Sequence, residues 1–84
     1  MKKVAVISAI LEGPEQCSRD FNAVLSDYKN IIKGRMGIPF EEENIGVVSI
    51  TVLGTLDEIN SLTGRLGNIP NVLVKTAISK KEIL

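Results

Sequence analysis

Hydrophobic residues in this chain follow two alternating rhythms. Val4-Ala5-Val6-Ile7-Ser8-Ala9-Ile10-Leu11 is nearly continuous in apolar character and rich in β-branched side chains, as a central strand requires. Glu12-Gly13-Pro14 ends it, and the period then changes. Cys17, Phe21, Val24, Leu25 and Tyr28 recur at the i, i+4, i+7, i+8, i+11 spacing of one helix face, with Arg19, Asp20, Asn22 and Asp27 mainly opposite. Pro14 suits the first helical turn, where its missing N–H costs nothing, so a helix is predicted from about Pro14 to Lys29.

A period of two returns at Ile31–Ile38. Ile32, Met36 and Ile38 fall on one side and Lys33 and Arg35 on the other, with Gly34 and Gly37 weakening any helical reading. Pro39 and the acidic run Glu41-Glu42-Glu43-Asn44 connect onward. Ile45 to Leu53 is the clearest strand: Val48, Ile50 and Val52 point one way, and Val47, Ser49, Thr51 and Leu53 the other. Thr55-Leu56-Asp57-Glu58 has the spacing of a capping box. Leu56, Ile59, Leu62 and Leu66 give the helical period behind it. Gly67 is placed for a left-handed terminal residue, Gly64 for close helix packing, and Pro70 for the stop. Val72 to Ile78 reads as a last strand and Ser79 to Leu84 as a polar tail.

The order strand, helix, strand, strand, helix, strand in so short a chain is that of the ferredoxin-like, ACT-like split βαβ unit, an α+β fold. Right-handed crossovers place both helices on one face of a four-stranded antiparallel sheet. Another two-layer α+β arrangement is the alternative left by the pattern. At 84 residues there is room for one domain spanning 1–84, with an ordered core of about 3–79. The strands carry too few charges to leave the uncovered sheet face polar. A homo-oligomer, dimer or tetramer, is therefore expected to bury that face through Ile7, Val47, Ser49, Thr51 and Leu73.

Composition narrows the chemistry. The chain has 10 Lys+Arg and 10 Asp+Glu, no histidine, no tryptophan and one cysteine. No histidine general base, histidine triad or histidine-ligated metal is available within one chain, and a single cysteine makes neither an intrachain disulfide nor a CxxC site. A net charge of zero gives no support to nucleic-acid binding through a basic surface. The basic start Met1-Lys2-Lys3 before an apolar run has some look of a signal peptide. The run is short, however, and lacks a small-residue cleavage site, so a buried strand is the better reading. No stretch approaches the ~18 apolar residues of a membrane span, and a cytoplasmic location is expected.

Candidate sites are few. Arg35 between Gly34 and Gly37 could clamp a carboxylate or phosphate, or be a solvated strand arginine. Gly13, where the first strand enters the first helix, could offer its N–H to an anion, although Glu12 and Glu15 already place negative charge there. Glu41, Glu42, Glu43 and Asn44 could offer oxygens to a hard cation but lack EF-hand spacing. Cys17 sits on the apolar face of its helix with no base to activate it. No catalytic residue, metal ligand or cofactor is expected.

Two stretches carry a family likeness: Arg35-Met36-Gly37-Ile38-Pro39 with Glu42-Glu43-Asn44, and Leu62-Thr63-Gly64-Arg65-Leu66-Gly67-Asn68-Ile69 followed by Val72, Val74, Lys75 and Thr76. Together they resemble the small regulators of the iron-only hydrogenase system, single-domain proteins of ACT-like fold similar in shape to the C-terminal domain of nickel-responsive repressors. The resemblance implies a regulatory or ligand-sensing role and oligomerisation through the sheet. The nickel site of those repressors uses histidines, which this chain lacks. A first strand beginning near Val4 leaves no segment to read DNA, so no direct nucleic-acid contact is expected. The functional expectation is a non-enzymatic regulatory module that binds a small anion such as an amino acid through Glu12, Gly13, Arg35 and Asn44. The alternative is a protein-interaction module without a small ligand.

Overall fold

The computed structural model describes residues 1–84. Its elements are β1 (Lys2–Glu12), α1 (Pro14–Ser26), β2 (Ile32–Phe40), β3 (Ile45–Gly54), α2 (Leu56–Gly67) and β4 (Val72–Ile83). The sheet order is β2-β3-β1-β4 and every neighbouring pair is antiparallel. This is the ferredoxin-like βαββαβ arrangement that the element order predicts. The molecule is elongated, 43 × 18 × 17 Å, because β1 and β4 run to 11 and 12 residues.

One face of the sheet meets both helices. Ala5, Ile7, Ala9 and Leu11 of β1 and Val48, Ile50 and Val52 of β3 join Cys17, Phe21, Val24 and Leu25 of α1 and Ile59, Leu62 and Leu66 of α2 in a single core. Burying alternate residues of each strand leaves the intervening ones on the open face. Ile7 is fully buried and therefore belongs to the helix-covered face, which corrects its placement at the oligomer interface. A nearly continuous apolar strand gives no clue to which of its two faces is covered; the packed helices decide it.

The capping box of α2 forms as its spacing predicts. Glu58 N–H donates to Thr55 Oγ1 at 3.2 Å, and Thr55 N–H donates to Glu58 Oε1 at 2.8 Å. These contacts hold the Glu58 carboxyl below its ordinary range, chiefly through the Thr55 backbone N–H. Leu56 is exposed, unlike its three apolar partners. At 3.6 residues per turn it lies about 90° round the helix from the mean direction of Ile59, Leu62 and Leu66.

Elsewhere local geometry departs from the sequence pattern. α1 ends at Ser26, three residues early, because Asp27 and Tyr28 turn their N–H groups back to Val24 and Leu25 in tightening turns. Gly67 stays inside α2, and the residue after it, Asn68, caps the helix in right-handed conformation, so the glycine's freedom is not used. Gly64 faces open space rather than a neighbouring helix. The supposed tail is strand: β4 continues to Ile83 beyond a register shift opposite Lys3–Ala5. There the Ser79 hydroxyl accepts from Val4 N–H at 3.1 Å, filling the ladder position that the bulge vacates.

The most consequential departure is in β2. A register shift between Ile32 and Gly34 adds a residue, so Ile32 pairs with Val52 while Arg35 pairs with Ile50. The expected grouping of Ile32 with Met36 and Ile38 fails for this reason. Arg35 shares the helix side with Ile50, whereas Met36 and Ile38 lie on the open face with Ser49 and Val47. Pro39 falls within β2 and is tolerated because β2 is an edge strand.

Candidate functional site

The four residues expected to bind an anion do not form one site. Glu12, Gly13 and Asn44 meet at the corner where β1 enters α1 beside the β2–β3 hairpin. Gly13 has φ 70 and ψ 65, a left-handed conformation that a glycine adopts without strain. Its N–H donates to the Asn44 carbonyl at 2.9 Å and is therefore not free for a ligand. The Glu12 N–H donates to the Asn71 carbonyl at 2.8 Å, and the Asn44 side-chain amide donates to Glu15 Oε1 at 3.3 Å. The corner is a self-satisfied junction tying the hairpin and the α2–β4 turn to β1. Asn44 and Asn71 both hold positive φ, 56 and 69, at those turns. No group of three or more acidic, cysteine or histidine residues is arranged there to hold a metal ion.

Cys17 packs beneath the same corner, with Sγ 3.6 Å from the Gly13 carbonyl and 4.0 Å from that of Glu12. Burial is the main cause that raises its thiol above the ordinary value, and the charges of Glu15 and Asp20 act in the same direction. A protonated, 2 % exposed thiol is a core side chain.

Arg35 lies elsewhere. It is five residues along β2 from Phe40 at the hairpin, or roughly 17 Å at the rise of a strand. Its Nη1 donates to Asn22 Oδ1 of α1 at 3.0 Å. A cleft of about 440 Å³ opens there between α1 and the edge strand, lined by Asn22, Leu25, Ser26, Lys29, Ile32 and Arg35. The sequence singles out Arg35 among these cleft residues but not Asn22, Ser26 and Lys29. The available signal is their i, i+4, i+7 spacing, which on a helix running to Lys29 would place them on one stripe beside its apolar face. The β2 bulge, which turns Arg35 toward that stripe, had no comparable signal.

On the outer surface a polar clip joins the helices. The Tyr28 hydroxyl and Ser61 Oγ are 2.7 Å apart, Arg65 lies 5.4 Å from the Tyr28 ring centroid, and Arg65 Nη2 donates to Asp27 Oδ2 at 2.9 Å. The hydrogen bond with Ser61 is the main cause that lowers the Tyr28 phenol below its usual value, with Arg65 adding to it.

The open sheet face carries a second feature. Ile38 pairs with Val47, Val47 with Ile10, and Ile10 with Leu73, so one apolar row crosses all four strands. Ile10 is 41 % exposed, Ile38 47 % and Leu73 58 %. Phe40 and Met36 flank the row on β2 and are exposed as well. The next row, Met36, Ser49, Ser8 and Lys75, and the one after it, Gly34, Thr51, Val6 and Ala77, contain a single charge. The expected interface residues Val47, Ser49, Thr51 and Leu73 all lie on this face.

Comparison with known proteins gives the family. A family model described as TM1266-like, "Iron-only hydrogenase system regulator, putative", matches residues 3–76. The structure of the uncharacterized protein TM1266 from Thermotoga maritima is similar to this chain at 31 % identity and a TM-score of 0.91, over 95 % of this chain and 100 % of that one. An unknown protein from Galdieria sulphuraria shares the fold at 17 % identity and a TM-score of 0.63, over 99 % of this chain and 48 % of that one. No curated protein matches the chain at a significant level.

Proposed function

The chain belongs to the TM1266-like family of iron-only hydrogenase system regulators, and from that premise we propose that it works as an oligomeric regulatory module that responds to a small anionic ligand. The observation that carries the assembly half is the apolar row Ile38–Val47–Ile10–Leu73 across the open face. Side chains this exposed and contiguous on a two-layer domain are stabilised by covering them, and a second copy of the same face is self-complementary about a two-fold axis. Val47, Ser49, Thr51 and Leu73 contribute to that interface. The small residues Ser8, Ser49, Thr51 and Ala77 allow two sheets to approach closely.

The ligand half draws on Arg35, which no carboxylate neutralises: the single ion pair of the molecule is Arg65 with Asp27. A non-catalytic role agrees with the family's description as a regulator and with a buried, protonated Cys17 as the only thiol. No helix is long and apolar enough to cross a membrane. Molar mass by light scattering across micromolar concentrations tests assembly, and a mass of one chain at every concentration overturns it. The face would then be left to a larger partner, and the module would act by protein interaction instead.

A further inference from the structure

We propose that the cleft between α1 and β2 is the binding site for a small organic dianion, a phosphomonoester or a dicarboxylate. The inference deepens the ligand half of the function proposed above and rests on it. Two cations, Arg35 from β2 and Lys29 from the turn after α1, line one 440 Å³ cleft together with the Asn22 amide and the Ser26 hydroxyl. That volume lies within the ~300–1,000 Å³ range of small-molecule sites. Its floor is apolar, from Leu25 and Ile32, and so suits a ligand with a short carbon body between or behind its charges.

Neither cation has an acidic partner. The carboxylate nearest to Lys29 in sequence, Asp27, is committed to Arg65 of α2. Arg35 is already oriented, because the side-chain oxygen Oδ1 of Asn22 accepts from Nη1. The fork's remaining N–H groups are left to grip two oxygens of a carboxylate or phosphate. The C-terminal carbonyls of α1 would ordinarily repel an anion. Here those of Val24 and Leu25 are occupied by the N–H groups of Asp27 and Tyr28, and the Asn22 backbone carbonyl accepts from the Ser26 hydroxyl.

Two positive groups, one of them an arginine already anchored by Asn22, favour a doubly charged ligand over a monoanion. The cleft lies on the helix side of β2, since Arg35 pairs with Ile50, whereas the apolar row lies on the opposite side. Ligand and second copy therefore occupy different faces, and β2, whose residues supply both, is the element through which one could report on the other.

Titration of the wild-type chain with glycerol 3-phosphate and with succinate, followed by amide and side-chain NMR shifts at constant ionic strength, tests the site. Acetate serves as the monoanion and sodium chloride as the screening control. The expected result is saturable shifts at Asn22, Ser26, Lys29 and Arg35 with one dianion or both, at least tenfold tighter than acetate. Arg35→Gln and Lys29→Gln should each weaken binding about tenfold or more, while Lys80→Gln, on the opposite edge strand β4, leaves it unchanged. Saturable binding that Arg35→Gln and Lys29→Gln do not weaken overturns this site and leaves the ligand reading standing elsewhere on the molecule. Absence of saturation with both dianions up to 10 mM overturns the site and the ligand half together, and leaves the assembly half to be judged by molar mass.

Discussion

Replacing Ile10 with lysine separates assembly from folding. Ile10 sits on the central strand β1, between Val47 and Leu73 in the apolar row, and is 41 % exposed. An isoleucine side chain offers on the order of 170 Å², so about 70 Å² of Ile10 remains wet in the single chain, worth about 1.8 kcal/mol if fully covered. A two-fold interface counts it twice, for about 3.5 kcal/mol, or a roughly three-hundred-fold weaker dissociation constant. Two ammonium groups facing each other across the axis add to that loss. The single chain tolerates the change, because the lysine stem packs over Val47 and Leu73 while its head stays in water, at a cost of about 1 kcal/mol or less. Sedimentation velocity of wild type and Ile10→Lys, with thermal unfolding by circular dichroism at low concentration, measures both quantities. An Ile10→Lys chain that associates as strongly as wild type refutes the open-face interface. One that loses its fold shows instead that Ile10 is part of the core.

Four further outcomes test the reading of the scaffold. The Glu58 carboxyl is held below its ordinary value of 4.5 by the Thr55 N–H and hydroxyl, so its contribution to stability is complete above the unfolded-state value and fades as pH falls through the folded one. Glu58→Gln should flatten that acid limb in pH-dependent urea titrations, and Thr55→Ala should cost about 1 kcal/mol at neutral pH. The Cys17 thiol is buried with its pKa raised, so a thiol reagent at pH 8 should label it only as fast as the chain opens; immediate labelling of folded protein would contradict the packing. Gly13→Ala should destabilise by about 1–2 kcal/mol in urea melts. The cost is left-handed backbone strain alone, because a Cβ there would meet Glu15 Oε1 at an ordinary 3.4 Å.

The cleft beside Arg35 shows what the sequence reaches and where it stops. Residue chemistry singled out Arg35, since a guanidinium flanked by glycines is recognisable in one dimension. The residues expected beside it lie at another corner of the fold. Glu12, Gly13 and Asn44 do converge, but they spend their backbone groups on one another and on Asn71. Asn22, Ser26 and Lys29 form an unremarkable polar stripe until β2 is laid beside it. No pairing rule in the sequence links the polar edge of a helix to a strand that follows it.

The amino-acid sequence by itself determined the element order, the capping box of α2, the apolar faces of both helices and the absence of histidine chemistry. These depend on neighbours within a few positions, where periodicity and local hydrogen bonding act alone. Tertiary structure decided which face of β1 is covered, because Val6 and Ile7 are equally apolar and only the packed helices distinguish them. It also decided where Arg35 points, because one extra residue between Ile32 and Gly34 reverses every later side chain of β2. Strand parity has a period of two, and a single bulge set by pairing with β3 moves a residue from one surface of the molecule to the other.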